Sequence, residues 1–487
     1  MKKDGKRLIL ICLLLGVALF LRLYKIGDTA EFLGDQGRDG LAMQASFGNN
    51  RLPVVGPTVG AGYYTGPLYY YLIAPSYVLF PHTPIAPIIE MCVIGVMAIA
   101  LFLYVATVLF GFEIAYIVSI LWTVSPLMIM QDRLLWNPTP VPLFVLLLIT
   151  SMVWGIRQKK YWGYVTAAFA IAALVQLHYV NCISIFFVVS IWAVLIWKQK
   201  KLDRKQHLWI IGGVCFMIAL LSPFLWYEAQ HNFKDVVGSI TTFTNGNDHV
   251  FSKRAYITAL GKITTALTTY AVALKNIGVL LGVWVIVLLG NVIQKKTTSL
   301  IAVAWFCFGV ITLSLYNKTI EPQYTYQLIP VVFLLIAGFL SNIHKRLTVI
   351  LSMLVVIVMS CVSWSVISPY QTNDPDIPRI SAIVEKIPHM ITEPFSFVLM
   401  HSRSFNDLHI RYFFYLHGIQ SVSYDDSSYT TLLLICENTC FEKPNERVLV
   451  TCSTEICPLD KPDVDFSKWK YVKTERVGTS AIYLYTR

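Results

Sequence analysis

Long apolar runs recur along this chain, and they constrain its fold more than any other feature. Most are about 17–25 residues long, enough for an α-helix to cross the hydrocarbon core of a bilayer. Hydrophobic residues make up 56% of the sequence, charged residues only 14%, and the mean hydropathy is +0.60. The first run begins near Leu8, behind Lys2, Lys3, Lys6 and Arg7, and no small-residue cleavage site follows it. The sequence therefore predicts an all-α polytopic membrane protein that keeps its first span.

Basic residues cluster in short loops between the apolar runs. The positive-inside rule predicts that such loops are cytoplasmic, and here they are residues 157–160, 198–205, 295–296 and 345–346. With these loops inside, the predicted spans after the first lie near 87–110, 113–131, 139–156, 161–177, 181–197, 208–224, 276–293, 297–315, 325–341 and 347–367.

The apolar segment 67–80 is too short for an ordinary span and is bounded by Pro67 and Pro81. A crossing there would break the alternation of sides, so we predict an interfacial or re-entrant helix. The expected topology has about eleven crossings, a cytoplasmic N-terminus and an extracytoplasmic C-terminal region.

Two domains are predicted from this pattern. Residues 1–368 form the transmembrane domain, whose first outer loop, 25–86, holds an acidic motif and the interfacial helix. A second long outer loop runs from Glu228 to Asn276. Residues 369–487 are predicted to form a small α/β extracytoplasmic domain, with a helix at 408–416 and strands near 395–400, 432–435, 447–451 and 481–486.

The net charge is +11. Because the basic residues follow the membrane topology rather than one continuous surface, we expect membrane lipid, and no nucleic acid, among the partners.

The ten cysteines divide into two groups. Six lie in apolar runs and are expected to be small core residues. The other four are Cys436, Cys440, Cys452 and Cys457, in the polar C-terminal region. Outside the cell, two disulfides are expected among them, although the spacing does not fix their connectivity. A zinc site is the alternative.

The acidic motif is the stretch from Phe32 to Gly40 in the first outer loop. It carries Asp35 and Asp39, with Arg38 between them, and three glycines that are expected to make the backbone easy to bend. If the stretch is helical, both carboxylates lie on one face. Asp35 is then a candidate general base or an ordinary helix-capping aspartate. Asp39 orients Arg38 or an acceptor, helps to bind a metal, or simply forms an ion pair with Arg38.

Further candidates lie at the predicted outer ends of other segments. Arg133 suits a phosphate, because a guanidinium binds phosphate oxygens in pairs, although an arginine snorkelling to lipid headgroups is the alternative. His178 and His231 are candidate phosphate or metal ligands, or else satisfied core groups. Tyr69 and Tyr70 line a sugar site or belong to an interfacial aromatic belt. The sequence identifies no certain cofactor; a divalent cation is the one candidate, with Asp35, Asp39 and His178 as its ligands.

The order of these motifs resembles the GT-C membrane glycosyltransferases, and in particular glycosyltransferase family 39, which includes protein O-mannosyltransferases and aminoarabinose transferases. The resemblance covers roughly residues 8–341 and is carried by the motifs beginning at Leu21, Gly34 and Gly66, by Ser125-Pro126, Asp132-Arg133 and Asn137-Pro138, and by His178-Tyr179, Pro223 and His231-Asn232-Phe233.

The resemblance implies an inverting transfer at the outer face from a polyprenyl-phosphate-linked sugar donor. By motif position, it makes Asp35 the catalytic carboxylate and Arg133 the arginine that holds the lipid phosphate. Gln36 stands where relatives often carry glutamate, and Gln323-Tyr324 stands where many carry His-Tyr, with Tyr324 as the late-loop contact.

The sequence thus predicts a glycosyltransferase that acts on an extracytoplasmic hydroxyl of a protein, lipid or glycan. A transporter or flippase for a lipid-linked substrate is one alternative, although it would need charged residues at mid-membrane, where Glu90 is the main one. A non-catalytic envelope scaffold is the other, and it would leave Asp35 and Arg133 dispensable.

Overall fold

The computed structural model of the chain describes residues 2–59, 62–197, 203–244, 253–271, 277–293, 296–316, 320–341, 345–372, 375–391, 394–404, 406–424, 429–438, 440–441, 447–449 and 463–487. Cys452, Cys457 and most of the predicted basic loop at 198–205 lie outside these residues.

Helices make up most of the described chain, as the apolar runs predict. The first ten are α1 (Lys2–Leu23), α2 (Ile26–Thr29), α3 (Gly34–Gly48), α4 (Leu68–Leu79), α5 (Ala86–Phe110), α6 (Phe112–Val124), α7 (Pro126–Asp132), α8 (Val141–Met152), α9 (Gly163–Leu177) and α10 (Cys182–Trp197). The remaining nine are α11 (Arg204–Gln230), α12 (Lys234–Thr244), α13 (Lys253–Ala271), α14 (Ile277–Ile293), α15 (Thr297–Ser314), α16 (Ile329–Leu340), α17 (Lys345–Val366), α18 (Asp376–Lys386) and α19 (Leu408–Leu416).

Within the described residues, four helical segments are long and apolar enough to cross a membrane: Ala86–Phe110, Arg204–Gln230, Thr297–Ser314 and Pro322–Leu340. Shorter apolar helices lie in the spans predicted near 139–156, 161–177, 181–197 and 276–293. The helix predicted at 67–80 is present as α4, and its 12 residues keep it short of a crossing. The count of about eleven crossings stays a prediction.

The span predicted near 113–131 is broken. Its two halves, α6 and α7, meet at an angle of 69°. Ser125 is extended and is followed by Pro126, which has no amide hydrogen and disfavours a helical residue before it. The segment predicted as a span is therefore two helices joined by a sharp bend.

The predicted loop from Glu228 to Asn276 also contains two helices, α12 and α13. Ile263, Leu267 and Tyr270 recur at helical spacing and are buried in the main core. Their burial stabilises α13 as part of the helical body.

The C-terminal domain is built on a mixed four-stranded sheet. Its strands are β3 (Phe395–Met400), β4 (Thr431–Cys436), β7 (Lys470–Val477) and β8 (Ser480–Thr486), in the order β3-β4-β8-β7. β3 and β4 are parallel, and the other pairs are antiparallel. The strands predicted in the described part of this region are confirmed, and β7 is additional. Two short antiparallel pairs complete the described strands: β1 (Thr58–Val59) with β2 (Tyr63–Tyr64), and β5 (Arg447–Leu449) with β6 (Asp463–Asp465).

Alternation along these strands places two cores on opposite faces of the sheet. Phe397, Leu433 and Leu484 belong to the cluster that is continuous with the membrane helices, whereas Val398 and Leu434 belong to a second cluster. The sheet is therefore packed onto the helical body through one face. A disulfide joins Cys436, at the end of β4, to Cys440.

Candidate functional site

The acidic motif forms the first two turns of α3 rather than a flexible loop. The chain is extended at Leu33, and Gln36 Oε1 accepts the Leu33 amide hydrogen at 2.7 Å. The other end of the Gln36 amide donates to the Leu135 carbonyl at 3.0 Å. Gln36, the residue that departs from the resembling family, therefore caps the helix and joins it to the segment after α7.

Arg38 bridges the two carboxylates of the motif. Its Nη1 lies 2.8 Å from Asp35 Oδ1, and its Nε donates to Asp39 Oδ1 at 2.9 Å. The Asp35 side chain is 43% exposed, whereas that of Asp39 is fully buried. The predicted shared helical face is thus confirmed, and the ion pair with Arg38 is present. With both acids ionised, the triad carries a net charge of −1, and its open side is at Asp35.

Asp39 is held on its buried side by a tyrosine. Tyr70 donates from its hydroxyl to Asp39 Oδ1 at 3.1 Å. Burial raises the pKa of Asp39 to about 6, although the Arg38 charge acts in the opposite direction. Asp39 Oδ2 has no hydrogen-bond partner among the described residues.

Tyr69 and Tyr70 lie inside the protein. Their exposures are 0% and 5%, respectively, so they do not form an exposed interfacial belt. The belt interpretation was wrong because α4 packs this edge against α3, where the Tyr70 hydroxyl donates to Asp39.

Arg133 is a buried cation just after α7. Its Nη1 donates to the Pro369 carbonyl at 2.9 Å, and its Nη2 donates to the Thr29 hydroxyl. The guanidinium also lies over the Tyr370 ring, 5.4 Å from the centroid. No described carboxylate pairs with it, because its neighbour Asp132 pairs with Arg22 at 2.7 Å. An exposure of 3% excludes snorkelling into lipid headgroups.

Sequence reasoning missed the pair of Arg22 and Asp132 as an interaction. Both side chains are almost fully buried. The sequence feature that could have indicated the pair is a charged residue at the end of each of two apolar runs. The pair neutralises Asp132, so that Arg133 has no counter-ion among the described residues.

His178 and Tyr324 come together although they are far apart in the sequence. Their ring centroids are 5.4 Å apart. His178 Nδ1 accepts the Val180 amide hydrogen at 3.3 Å, which leaves Nε2 to carry the proton of the neutral ring. Burial lowers the pKa of His178 to about 4, so the ring is neutral near pH 7.

His231 is satisfied within its own turn. It is exposed, stacks on Tyr227 with centroids 4.0 Å apart, and places Nδ1 2.8 Å from the Tyr227 carbonyl. In the described part of the chain, no contact joins it to the α3 carboxylates.

Asp35, Asp39 and His178 do not gather as a metal site. Among the residues that the structure describes, no group of three or more His, Cys, Asp or Glu side chains could hold a metal ion. The two carboxylates are bridged instead by the guanidinium of Arg38.

Comparison with known proteins gives a family and a fold. A family model described as predicted membrane protein (DUF2079) matches residues 67–394. No curated protein sequence matches the chain. ArnT from Cupriavidus metallidurans in the apo state is similar in structure, with a TM-score of 0.60 and 12% identity, over 90% of this chain and 93% of that chain.

The structure of the same ArnT bound to undecaprenyl phosphate matches with a TM-score of 0.58 and 12% identity, over 88% of this chain and 92% of that chain. The Archaeoglobus fulgidus oligosaccharyltransferase tethered with an acceptor peptide matches with a TM-score of 0.50 and 11% identity, over 84% of this chain and 63% of that chain. The polytopic helical fold with a small C-terminal mixed-sheet domain is therefore confirmed, and it resembles that of GT-C lipid-donor glycosyltransferases.

Proposed function

The chain belongs to the DUF2079 family of predicted membrane proteins, and we propose that it is an inverting membrane glycosyltransferase. It moves a sugar from a polyprenyl-phosphate carrier to a hydroxyl of an extracytoplasmic protein, lipid or glycan. The GT-C-like fold supports this proposal, as does the match to a structure that contains undecaprenyl phosphate, which is itself a polyprenyl phosphate. Placement within glycosyltransferase family 39 is part of the same proposal.

The observation that carries the proposal is the group of Asp35, Arg38 and Asp39 on α3. Its one accessible acid is Asp35, and the guanidinium beside it is shared with Asp39. In the proposed step, Asp35 takes the proton from the acceptor hydroxyl as the hydroxyl oxygen attacks the anomeric carbon. The bond from that carbon to the phosphate oxygen breaks, the electron pair leaves with the polyprenyl phosphate, and the anomeric configuration inverts.

Arg38 and Asp39 orient the base. Asp39 accepts hydrogen bonds from the Tyr70 hydroxyl and from Arg38 Nε. Because Asp39 is buried and held by Tyr70, it fixes the position of the guanidinium beside Asp35. The fixed guanidinium holds the Asp35 carboxylate at 2.8 Å in one orientation, which is the pre-organisation that proton transfer at a set position requires.

Arg133 is the proposed partner of the departing phosphate. It is buried without a carboxylate partner among the described residues, and an anion would complete its charge balance. His178, neutral and with Nε2 free to donate, is a second candidate donor to the same phosphate, with Tyr324 packed against its ring.

The proposal also assigns location and domain roles. The protein is an integral membrane protein with a cytoplasmic N-terminus, its transmembrane domain is residues 1–368, and residues 369–487 form the extracytoplasmic domain. An acceptor outside the cytoplasm and a donor in the outer leaflet would then both reach α3.

The test is a transfer assay with the purified, lipid-reconstituted protein. Labelled polyprenyl-phosphate sugars are supplied together with an envelope extract, and the labelled product is identified. We expect one donor to label an acceptor with inverted anomeric configuration. Movement of labelled donor across the bilayer without transfer would favour a flippase, and neither transfer nor movement with any donor would leave the scaffold alternative.

A further inference from the structure

We propose that the C-terminal domain holds the start of α3 in place, through hydrogen bonds to Asp376 and Ser404 and through close packing of α19; this arrangement is called the seating of α3 below. Asp376 and Ser404 are then positioning residues for the carboxylate of Asp35. The catalytic part of this inference rests on the proposed function, whereas the seating itself does not. A domain with this role is a structural part of the active site rather than a tethered binding module.

Two amide groups at the entry to α3 are bound by the C-terminal domain. The Phe32 amide donates to Asp376 Oδ2 at 3.1 Å, and the Gly34 amide donates to Ser404 Oγ at 2.9 Å. The Leu33 amide between them is satisfied by Gln36 within α3. A helix normally satisfies its first amides with its own preceding residues. Here the C-terminal domain bonds the amide of Gly34, the first residue of α3, and the amide of Phe32, two residues before it.

Glycines form the surface of α3 that lies against the C-terminal domain. Gly34, Gly37 and Gly40 recur every three residues and face the C-terminal domain. A Cβ atom on Gly37 would lie 2.3 Å from the Leu408 carbonyl carbon, and one on Gly40 would lie 2.6 Å from the Tyr412 ring. The glycines predicted to give flexibility thus allow the backbones of α3 and α19 to approach closely.

The residue before the helix is held in the same way. Phe32 is fully buried, stacks on Tyr412 with centroids 5.6 Å apart, and meets Phe413 edge-on at 5.5 Å. The chain entering α3 is therefore fixed by aromatic packing as well as by hydrogen bonds.

Asp376 is itself held in place by ion pairs. Asp376 Oδ1 pairs with Arg379 at 2.8 Å and with Arg403 at 3.2 Å, which leaves Oδ2 for the Phe32 amide. Arg379 also pairs with Glu437 at 2.8 Å, and Glu437 directly follows Cys436 of the disulfide. The cap is thus anchored through a buried ion-pair chain to the end of β4.

The consequence follows from the position of Asp35. It is the second residue of α3, so loss of the caps would fray the turn that carries it. Asp39 lies a turn further on and is held by Tyr70, and the residues beyond Gly40 are distant from the caps. Loosening the seat should therefore affect the Asp35 turn before the rest of α3.

The experiment uses the full-length protein in lipid with four variants. Gly37→Ala forces α3 away from α19, and Ser404→Ala removes one cap. Ser404→Thr restores the hydroxyl, and Gly48→Ala is the matched control, because Gly48 lies in the same helix with nothing within 4 Å of its Cβ position. Two kinds of measurement are made. One is hydrogen–deuterium exchange of the peptide covering residues 31–48, and the other is the steady-state kinetics of sugar transfer, which give kcat and KM.

We expect faster exchange at the start of α3 in Gly37→Ala and Ser404→Ala. A lost cap should lower kcat by about fivefold, with KM for the lipid donor unchanged. Ser404→Thr should recover both values, and Gly48→Ala should change neither. Because Gly37→Ala could perturb folding broadly, Ser404→Ala with its threonine rescue carries the decision.

Unchanged exchange in Ser404→Ala, or equal exchange in Gly37→Ala and Gly48→Ala, would overturn the inference. A fall in kcat that Ser404→Thr fails to recover would also count against it. If the wild-type protein transfers no sugar at all, the proposed function fails, and the exchange measurements alone still support or reject the seating.

Discussion

The hydroxyl of Tyr70 donates a 3.1 Å hydrogen bond to the carboxylate of Asp39. This bond joins α4 to α3 across 31 residues of sequence. It places an uncharged donor on the buried side of an acid whose other partner is Arg38. The ionised form of Asp39 therefore depends on two contacts, and each can be changed separately.

The pH dependence of transfer should report on Asp39. Burial raises the pKa of Asp39 to about 6. As the pH falls through that value, Asp39 becomes protonated and its ion pair with Arg38 is lost. The rate of sugar transfer should therefore decline. Tyr70→Phe removes a contact that favours the ionised form, so the acidic limb of the kcat profile should move to higher pH by up to about one unit. Tyr71→Phe is the control, because that hydroxyl donates to the Pro53 carbonyl instead. The same apparent pKa for the acidic limb in Tyr70→Phe and Tyr71→Phe would contradict this role of Tyr70.

Asp35→Asn should slow transfer by about a hundredfold or more, the usual contribution of a general base. The amide keeps the size and one contact with Arg38 but cannot take the proton. Donor binding, measured separately with labelled lipid, should survive. Asp28→Asn, at an exposed carboxylate in α2, is the matched control and should keep full activity. Full activity in Asp35→Asn would remove the active site from this helix.

Arg133→Ala should weaken donor binding by about ten- to a hundredfold, as expected for a lost charged hydrogen bond. Arg133→Lys should recover only part of the affinity, because a single ammonium cannot copy the guanidinium fork. Arg51→Ala, at an exposed arginine, serves as the control. Because Arg133 also bonds the Pro369 carbonyl, thermal unfolding must accompany the binding assay. Unchanged affinity in a well-folded Arg133→Ala protein would exclude the phosphate role.

The membrane sidedness can be tested with single cysteines in a background that lacks the native ones. Thr83 and Glu113 are exposed and lie at opposite ends of α5. An impermeant thiol reagent should label Thr83→Cys from outside and should reach Glu113→Cys only after permeabilisation. Thr65 is fully buried and cannot serve as a labelling site. Labelling of position 113 in intact cells would reverse the proposed topology.

The disulfide between Cys436 and Cys440 should appear in a non-reduced digest of the purified protein. Its short loop gives a stabilisation of about 2 kcal/mol in the chain-entropy treatment, so the Cys436→Ser/Cys440→Ser protein should unfold more easily. Cys452 and Cys457 remain as partners for the predicted second disulfide. A free thiol at position 436 in freshly isolated protein would argue against the bond and the extracytoplasmic location.

Much of the fold could be predicted because hydrophobic length and period are local properties. The runs that became α5, α11 and α15 are apolar over a span length, and their helical state needs no partner. The strands β3 and β4 were recognisable from their apolar β-forming residues. The spacing of Asp35 and Asp39 also placed both on one face of a helix.

The sequence could not distinguish a loop from a helix whose stability depends on packing. α13 was expected to be a loop, because its apolar residues are spaced among threonines and a lysine. These residues stabilise a helix only once they are buried in the core. Ser125-Pro126 was recognised as a motif in the sequence, but the 69° bend that it introduces between α6 and α7 was not predicted.

The sequence by itself determined that this chain is a polytopic helical protein with a C-terminal α/β domain and an acid-rich motif after its first span. Hydrophobic length, charge distribution and residue type carry that information without any long-range contact. Only the tertiary structure decided that Gly34, Gly37 and Gly40 pack against the C-terminal domain, and that Asp376 and Ser404 bond the amides of Phe32 and Gly34. These contacts join residues more than 340 positions apart, and the geometry that makes them follows from the packing of the whole chain.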